Sequence, residues 1–346
     1  MSTAPRFDID VEAFTDDPYP ALARMRAQAP IAYVPQLGAT LFTRRADIVV
    51  CEKQVDVFSS EQPDGLMNRL MGRNMMRKDG REHLLERKAM FPAVSPQTVR
   101  GIWQAQFQAQ ADRLLDAIEP AGRADLVRDY ALPLSGEALK AITGLHTATF
   151  AQIDAWSQAM IDGVANYGGD PALQARCLAA TAAIDASIDD ALAPGATGDG
   201  CSMLEVMRRA DVPMDSVRAD IKLAISGGQN EPRDAIAGAA WALLTHPGQA
   251  GRALAGDLSW GQVFDEYVRW ISPIGMSPRR IARAHAIGPV RFEVDERIFF
   301  SCSGRRTATR PSSSRPGASI RIATPASTSR SGRVRIFAPG RPRRAP

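Results

Sequence analysis

After Glu296 the chain contains no acidic residue and no lysine, yet that stretch holds twelve arginines. The net charge of +4 therefore divides into +12 beyond Glu296 and −8 before it. One chain carries two compositions, so its overall basic character is an average and does not argue for nucleic-acid binding. Cysteine is sparse: Cys51, Cys177, Cys201 and Cys302 are scattered, which excludes a zinc cluster of close ligands and a disulfide framework. The four histidines, His83, His146, His246 and His285, show no metal-ligand spacing. The longest apolar run, "AIAGAAWALL", falls well short of the ~20 residues that span a bilayer. The opening "MSTAPRFDIDVEAF" lacks a basic start followed by an apolar block, which argues against a signal peptide. These absences give the expectation of a cytoplasmic protein.

What is present is a globular body. Hydrophobic residues make up 45% of the 346, enough for a substantial core. "YPALARMRAQAP" has the spacing of a short amphipathic helix stopped by Pro30. "IAYVP" and "ATLFTR" flank a glycine turn and predict a hairpin. From Asp79 to about residue 292 the pattern reads as almost wholly helical, with "YGGDP" and "APGATGDG" as punctuation between helices. "PVRFEVDERIFF" then predicts the start of a strand pair. Near Phe300 periodicity stops, and Ser, Arg, Pro, Ala and Gly take over. The expectation is a body over 1–298 and a disordered, basic low-complexity tail over 299–346.

Three small motifs carry chemistry. In "DGREHLLERKAMFPAVSP", His83 and Arg87 are four apart and share a helix face, as a pair of cationic donors for an anion would; the bland alternative is two ordinary surface residues. In "AISGGQNEPRDAIAGAAWALLTHP", Pro232 removes a hydrogen bond and clashes with the carbonyl of Gly228. Gly227 and Gly228 leave backbone bare for a flat ligand, with Glu231 beside them. That predicts either a kinked helix facing a pocket or two helices joined at the glycines, with Pro232 in the first turn of the second. In "FDEYVRW", Glu266 and Arg269 can pair across one turn, a common arrangement that means little alone.

In this order and register the three motifs resemble the cytochromes P450, haem-thiolate monooxygenases, over roughly residues 7–298. The resemblance implies a mainly α fold with a small β region. It implies that His83 and Arg87 bind a haem propionate, and that Arg280 in "SPRRIARA" holds a second. Gly227 and Gly228 would lie against the haem on the oxygen-binding side, and Glu266 and Arg269 would be structural. It further implies O₂ and a small organic substrate as reactants. Electrons would come from a ferredoxin or flavodoxin partner, ultimately from NAD(P)H. Loops around residues 55–78 and 160–175 would govern substrate choice, and "MNRLMGRNMM" suggests a flexible apolar lining.

Two departures stand out. Where the family has an acid and a threonine on its central helix, this chain has Asn230, Glu231 and Pro232. Asn230 and Glu231 are therefore the candidate catalytic residues: either Glu231 relays protons in place of the threonine, or the oxygen chemistry is altered. The larger departure is that the cysteine loop, Phe-x-x-Gly-x-His-x-Cys-x-Gly, is absent. Its thiolate is the fifth iron ligand. The neighbours of Cys302, "FFSCSGRR", match nothing in that loop, so no metal ligand is assigned in this frame.

The tail explains the loss. Read from the third base of each codon, "RSGRVRIFAPGR" permits Phe-Gly-Ala-Gly-Pro-His-Phe-Cys-Ala-Gly-Ala, the whole loop, with the cysteine straddling the codons for Phe337 and Ala338. Upstream, "FSCSGRRTAT" permits Phe-Met-Phe-Gly-Ser-Ala-Asn-Arg-Asp. This order of strings implies a reading-frame slip near Phe299–Phe300. The chain as written would then lack the thiolate, its loop and the helix expected behind the haem. It would expose apolar surface there and bind haem poorly. A competing reading is a haem-free helical binding protein whose arginine tail contacts nucleic acid. The tail's lack of lysine and of interleaved aromatics speaks against it.

Overall fold

The computed structural model of the chain describes residues 2–195, 198, 200–271 and 274–301. They form two compact units. The first holds residues up to 64, residues 76–84 and those from 268 onward; the second holds 65–75 and 85–267.

The first unit is built on a five-stranded sheet. Its strands are β1 (Ile31–Val34), β2 (Ala39–Phe42), β3 (Phe58–Ser59), β4 (Met276–Ile281) and β7 (Arg297–Ser301), in the order β1-β2-β7-β4-β3. The expected hairpin forms: β1 and β2 run antiparallel, with Gly38 at φ +57° in the connection. Residues 5–7 cover the outer edge of β1, since Tyr33 N–H donates to the Pro5 carbonyl and Phe7 N–H donates to that of Tyr33, each at 2.9 Å. Short helices α1 (Val11–Asp16), α2 (Tyr19–Gln28) and α3 (Arg45–Cys51) complete this unit, and α2 stops before Pro30 as the sequence predicts. Phe42, Phe58, Phe292 and Phe300 form an aromatic cluster, with Phe42 stacked on Phe292 at 5.6 Å and edge-on to Phe300 at 5.4 Å.

Here the sequence reading needs two corrections. The helical pattern expected to about residue 292 ends at Ile271, and strands begin at Met276. Pro278 bars a helix interior there, and pairing with β7 draws the segment into the sheet. The strands foreseen in "PVRFEVDERIFF" both form, but not with each other. β6 (Val290–Phe292) closes a small hairpin with β5 (His285–Ile287), turning at Gly288 with φ +56°. β7 instead enters the large sheet, parallel to β2 and antiparallel to β4. Ile298 and Phe300 are fully buried in one core while Phe299 packs into another, so the literal sequence still makes a well-packed central strand at Phe300.

The second unit is helical. Its elements are α4 (Leu66–Met71), α5 (Gly80–Val94, which starts in the first unit), the single turn α6 (Pro96–Thr98), α7 (Gln104–Ile118), α8 (Leu132–Thr143), α9 (Phe150–Val164), α10 (Pro171–Leu192), α11 (Met203–Arg209), α12 (Met214–Gly228), α13 (Asn230–Thr245), α14 (Pro247–Leu254) and α15 (Trp260–Ile271). Local chemistry sets their starts. Thr149 and Gln152 close a capping box at α9, Ser202 and Glu205 another at α11, and Asp170 caps α10 ahead of Pro171. Leu139, Ile153, Met160, Ile184, Ile188, Val217, Ile221 and Ile225 bring α8, α9, α10 and α12 into one core. Lys222 and Arg218 on α12 bridge to Asp185 on α10, the lysine at 2.7 Å.

Candidate functional site

The central helical stretch resolves the alternatives around Pro232. α12 ends at Gly228 and α13 begins at Asn230, so the proline sits in the first turn of a second helix. Gln229, fully buried, stands at the break with φ −91° and ψ −50°, close to helical values. A break in a buried helix weakens the bonding of its carbonyls, and side chains from α8 and α9 add donors there. Ser135 Oγ donates to the Gln229 carbonyl and Ser157 Oγ to the Ser226 carbonyl, both at 3.2 Å. Asp154 Oδ1 on α9 accepts from Gln229 Nε2 at 3.2 Å and from Arg233 Nη1 at 3.1 Å. One carboxylate oxygen thus ties the break to the first turn of α13.

Glu231 lies between those two ties. An added Cβ at Gly227 would stand 3.5 Å from Glu231 Oε1, so the carboxyl hangs over bare backbone. Glu231 Oε2 and Asn230 Oδ1 are shielded from solvent without a hydrogen-bond partner. Burial pushes the Glu231 carboxyl above its ordinary value. Its own backbone N–H offsets part of that, the charge of Asp234 adds to it, and Arg233 works against it. Two neighbouring polar atoms left orphaned in this way are what a polar ligand or an ordered water would satisfy.

Gly227, Gly228, Asn230 and Glu231 are thus gathered within the second unit. Arg280 stands on β4 in the first unit, where its guanidinium bonds Asp295 Oδ1 at 2.6 Å and lies 3.8 Å from Glu61. Its positive charge already meets two carboxylates of its own unit. His83 and Arg87 occupy successive turns of α5, His83 half-buried and Arg87 exposed. The start of that helix is pinned by Asp79, whose Oδ2 accepts from Ser59 Oγ at 2.5 Å and from Ser60 N–H at 2.9 Å. Glu266 and Arg269 lie one turn apart on α15, both half-buried. Cys302 and the tail lie outside the described residues.

An iron ligand is missing among the described residues. Cys51, Cys177 and Cys201 are buried. Burial pushes the Cys51 thiol up to about 11, with Asp47 and Glu52 adding to it, and burial raises Cys177 as well. The thiols of Cys51 and Cys177 therefore stay protonated and inert. No group of three or more metal-binding side chains occurs among the described residues. The residues present therefore fit the surroundings of a haem in part, and they do not supply its thiolate.

Among the described residues, two sizeable cavities of the second unit bear on the site. One, of about 580 Å³, is lined by Met90, Phe107, Ala138, Leu139, Ala224 and Ile236 among others, from α5, α7, α8, α12 and α13; Ser135 and Asp220 are its few polar members. The other, of about 410 Å³, is bounded by Leu66, Arg69 and Leu70 on one side and by Gly163, Tyr167 and Leu178 on the other. The two segments expected to govern substrate choice meet around it, although much of "MNRLMGRNMM" is α4, with Leu70 and Met71 buried in the core.

Gln229, Asp154, Arg233, Ser135 and Ser157 were not singled out from the sequence. Asp154 and Arg233 are far apart in the chain, and nothing local announces their pairing.

No family model matches the chain. Among curated proteins it is 19% identical over 306 residues to pulcherriminic acid synthase of Bacillus subtilis, covering 85% of this chain and 74% of that one. It is 30% identical over 200 residues to cytochrome P450-SOY of Streptomyces griseus, covering 56% of this chain but only 46% of the relative. Against the cytochrome P450 monooxygenase PikC of Streptomyces venezuelae it is 24% identical over 276 residues, covering 75% and 64%. The solved structure of CalO2 superposes with a TM-score of 0.73 at 21% identity, covering 84% of this chain and 76% of that one. P450BioI, solved with a fatty-acyl carrier protein, gives 0.73 at 18% identity, covering 84% and 78%. Among the described residues no helix is long and apolar enough to cross a membrane. In sequence and in fold, this chain is similar to bacterial cytochromes P450, a likeness that favours that reading over a haem-free binding protein.

Proposed function

We propose that the gene encodes, or once encoded, a cytoplasmic cytochrome P450 monooxygenase that inserts one oxygen atom from O₂ into a small organic substrate. We further propose that the chain as written has lost the half of the site that holds the iron. The observation that carries this reading is where the well-packed literal sequence stops. β7 packs as a central strand through Phe300, and from there the alternate frame begins to spell the family's strings and then its cysteine loop. The burial of the described cysteines, with the Cys51 and Cys177 thiols pushed up, supports the same reading. So does the apolar cavity along α5, α7, α8, α12 and α13, a face that a further helix would cover.

In the restored protein, haem would supply the oxygen chemistry, with electrons from a ferredoxin or flavodoxin and ultimately from NAD(P)H. His83, Arg87 and Arg280 would meet the propionates, with Arg280 exchanging a carboxylate of its own unit for one of them. Gly227 and Gly228 would leave room for a flat ring. Glu231, its carboxyl raised above the ordinary value by burial, would hold and pass protons at Oε2. The cavity between residues 66–70 and 163–178 would admit the substrate. Glu266 and Arg269 would brace the core on α15.

The test is the genomic DNA sequence across the codons for Asp295 to Arg306. One base gained or lost relative to this frame makes the native protein a complete monooxygenase. An unbroken frame that yields the arginine tail, together with a chain that binds haem normally, refutes the reading.

A further inference from the structure

We propose that Asp154 is the positioning residue for Glu231: by accepting from both Gln229 Nε2 and Arg233 Nη1 it fixes the first turn of α13, so that the Glu231 carboxyl stays over Gly227 and out of water. This deepens the proton-handling role proposed for Glu231 and rests on it.

The geometry leaves few alternatives. Residues 229 and 233 bracket Glu231, and both are bound to the same oxygen of a side chain on another helix. Arg233 also bonds Asp234 at 2.9 Å, but Asp234 is 67% exposed while the Asp154 side chain is 24% exposed, so the buried contact sets the geometry. The Gln229 end is held a second time by Ser135 and by the Leu132 carbonyl, which accepts from Gln229 Nε2 at 3.4 Å. The first turn of α13 thus hangs from α8 and α9, with Asp154 its ionic link to α9.

The charges facing Glu231 separate this from a simple field effect. Asp234 and Arg233, on its own helix, are the charged groups that act on it. On packed neighbours, Glu137 and Lys140 of α8 pair with each other at 3.0 Å, and Arg128 and Asp129 of the preceding turn do so at 2.9 Å. Lys222 and Arg218 of α12 are taken up by Asp185, and Asp220 accepts from Met75 N–H at 2.7 Å. Arg252 sits on α14. Asp154 is not among the groups that shift Glu231, so its removal would act through position.

The experiment uses the full chain labelled with ¹³C at glutamate side-chain carboxyls, the Glu231 signal being identified by its loss in Glu231→Gln. Its titration midpoint is followed in the wild type, Asp154→Ala, Asp154→Asn and Gln229→Met. Hydration of the carboxyl in Asp154→Ala should lower the midpoint toward the ordinary value, a fall in proton affinity. Asp154→Asn, which keeps an acceptor oxygen, should stay near wild type. If Asp154→Ala does not fold, Gln229→Met cuts the same tie from the other end and should lower the midpoint likewise. A folded Asp154→Ala or Gln229→Met with an unmoved midpoint overturns the proposal, as does Asp154→Asn shifting as far as Asp154→Ala. The proton-handling role is read separately: full turnover by frame-restored Glu231→Gln would remove that role and leave the positioning result standing.

Discussion

Ser135 Oγ donates across to the backbone carbonyl of Gln229 at 3.2 Å, so a hydroxyl from α8 joins the long helical bond that the Arg233 N–H makes to the same oxygen at 3.4 Å. That contact, with its counterpart from Ser157 to Ser226, is how two helices separated by one residue remain buried. Ser135→Ala should cost about 0.5–1.5 kcal/mol, the net worth of one hydrogen bond, because the Arg233 N–H still meets that carbonyl. Pro232→Ala should change stability by less than about 1 kcal/mol, because Pro232 occupies a first turn; a mid-helix proline costs about 3 kcal/mol. Urea unfolding followed by far-ultraviolet circular dichroism reads both.

The apolar cavity gives a second expectation. Ala138 and Ala224 line it, and enlarging either should fill space rather than strain a packed core. Ala138→Leu and Ala224→Val should each lower the binding of a solvatochromic apolar dye to the folded chain and raise its unfolding midpoint, by roughly 0.8 kcal/mol for each methylene buried. Dye binding unchanged in both variants would place the bound dye elsewhere.

Gly238 on α13 supports Tyr267 of α15: a Cβ there would stand 1.7 Å from the tyrosine hydroxyl and 2.5 Å from its ring carbon. Gly238→Ala should destabilise the chain by about 1–3 kcal/mol through overpacking. Tyr267→Ala should make the same glycine substitution nearly neutral, which a double-mutant cycle measures.

Glu231 makes stability depend on pH in a defined sense. Its folded carboxyl is raised above the ordinary 4.5, so the folded chain holds a proton that the unfolded chain releases. That contribution is complete below 4.5 and is lost as pH climbs through the raised folded value. Glu231→Gln keeps a neutral side chain throughout. Its stability relative to wild type should therefore grow as pH rises above 4.5, as measured by denaturant midpoints across a pH series.

Much of the fold was legible because helical spacing and capping residues act locally. "SVRADIKLAISGG" became α12 and "TFAQIDAWSQAMIDGVA" became α9, ending where glycine, proline or a cap dictated. The strands after Ile271 were less legible, since "SPRRI" is polar and short, and its pairing with β7 on one side and β3 on the other makes it a strand. At the site, Gly227, Gly228, Glu231 and Pro232 announced themselves by residue type. The clamp made by Asp154, Gln229 and Arg233 did not, because its members are common polar residues joined only by tertiary packing. Likewise "EHLLER" suggested an anion site, while the pairing of Arg280 with Asp295 depended on a turn at Asp295, φ +70°, that no local signal marks.

The measurement that bears most directly on this account is the reduced, carbon-monoxide difference spectrum of two haem-supplied proteins prepared in parallel. One is the chain as written; the other comes from the same gene with a single base restored at the codons for Phe299 and Phe300. The account predicts a thiolate-type band from the restored protein and none from the literal chain. A normal thiolate band from the literal chain would contradict it.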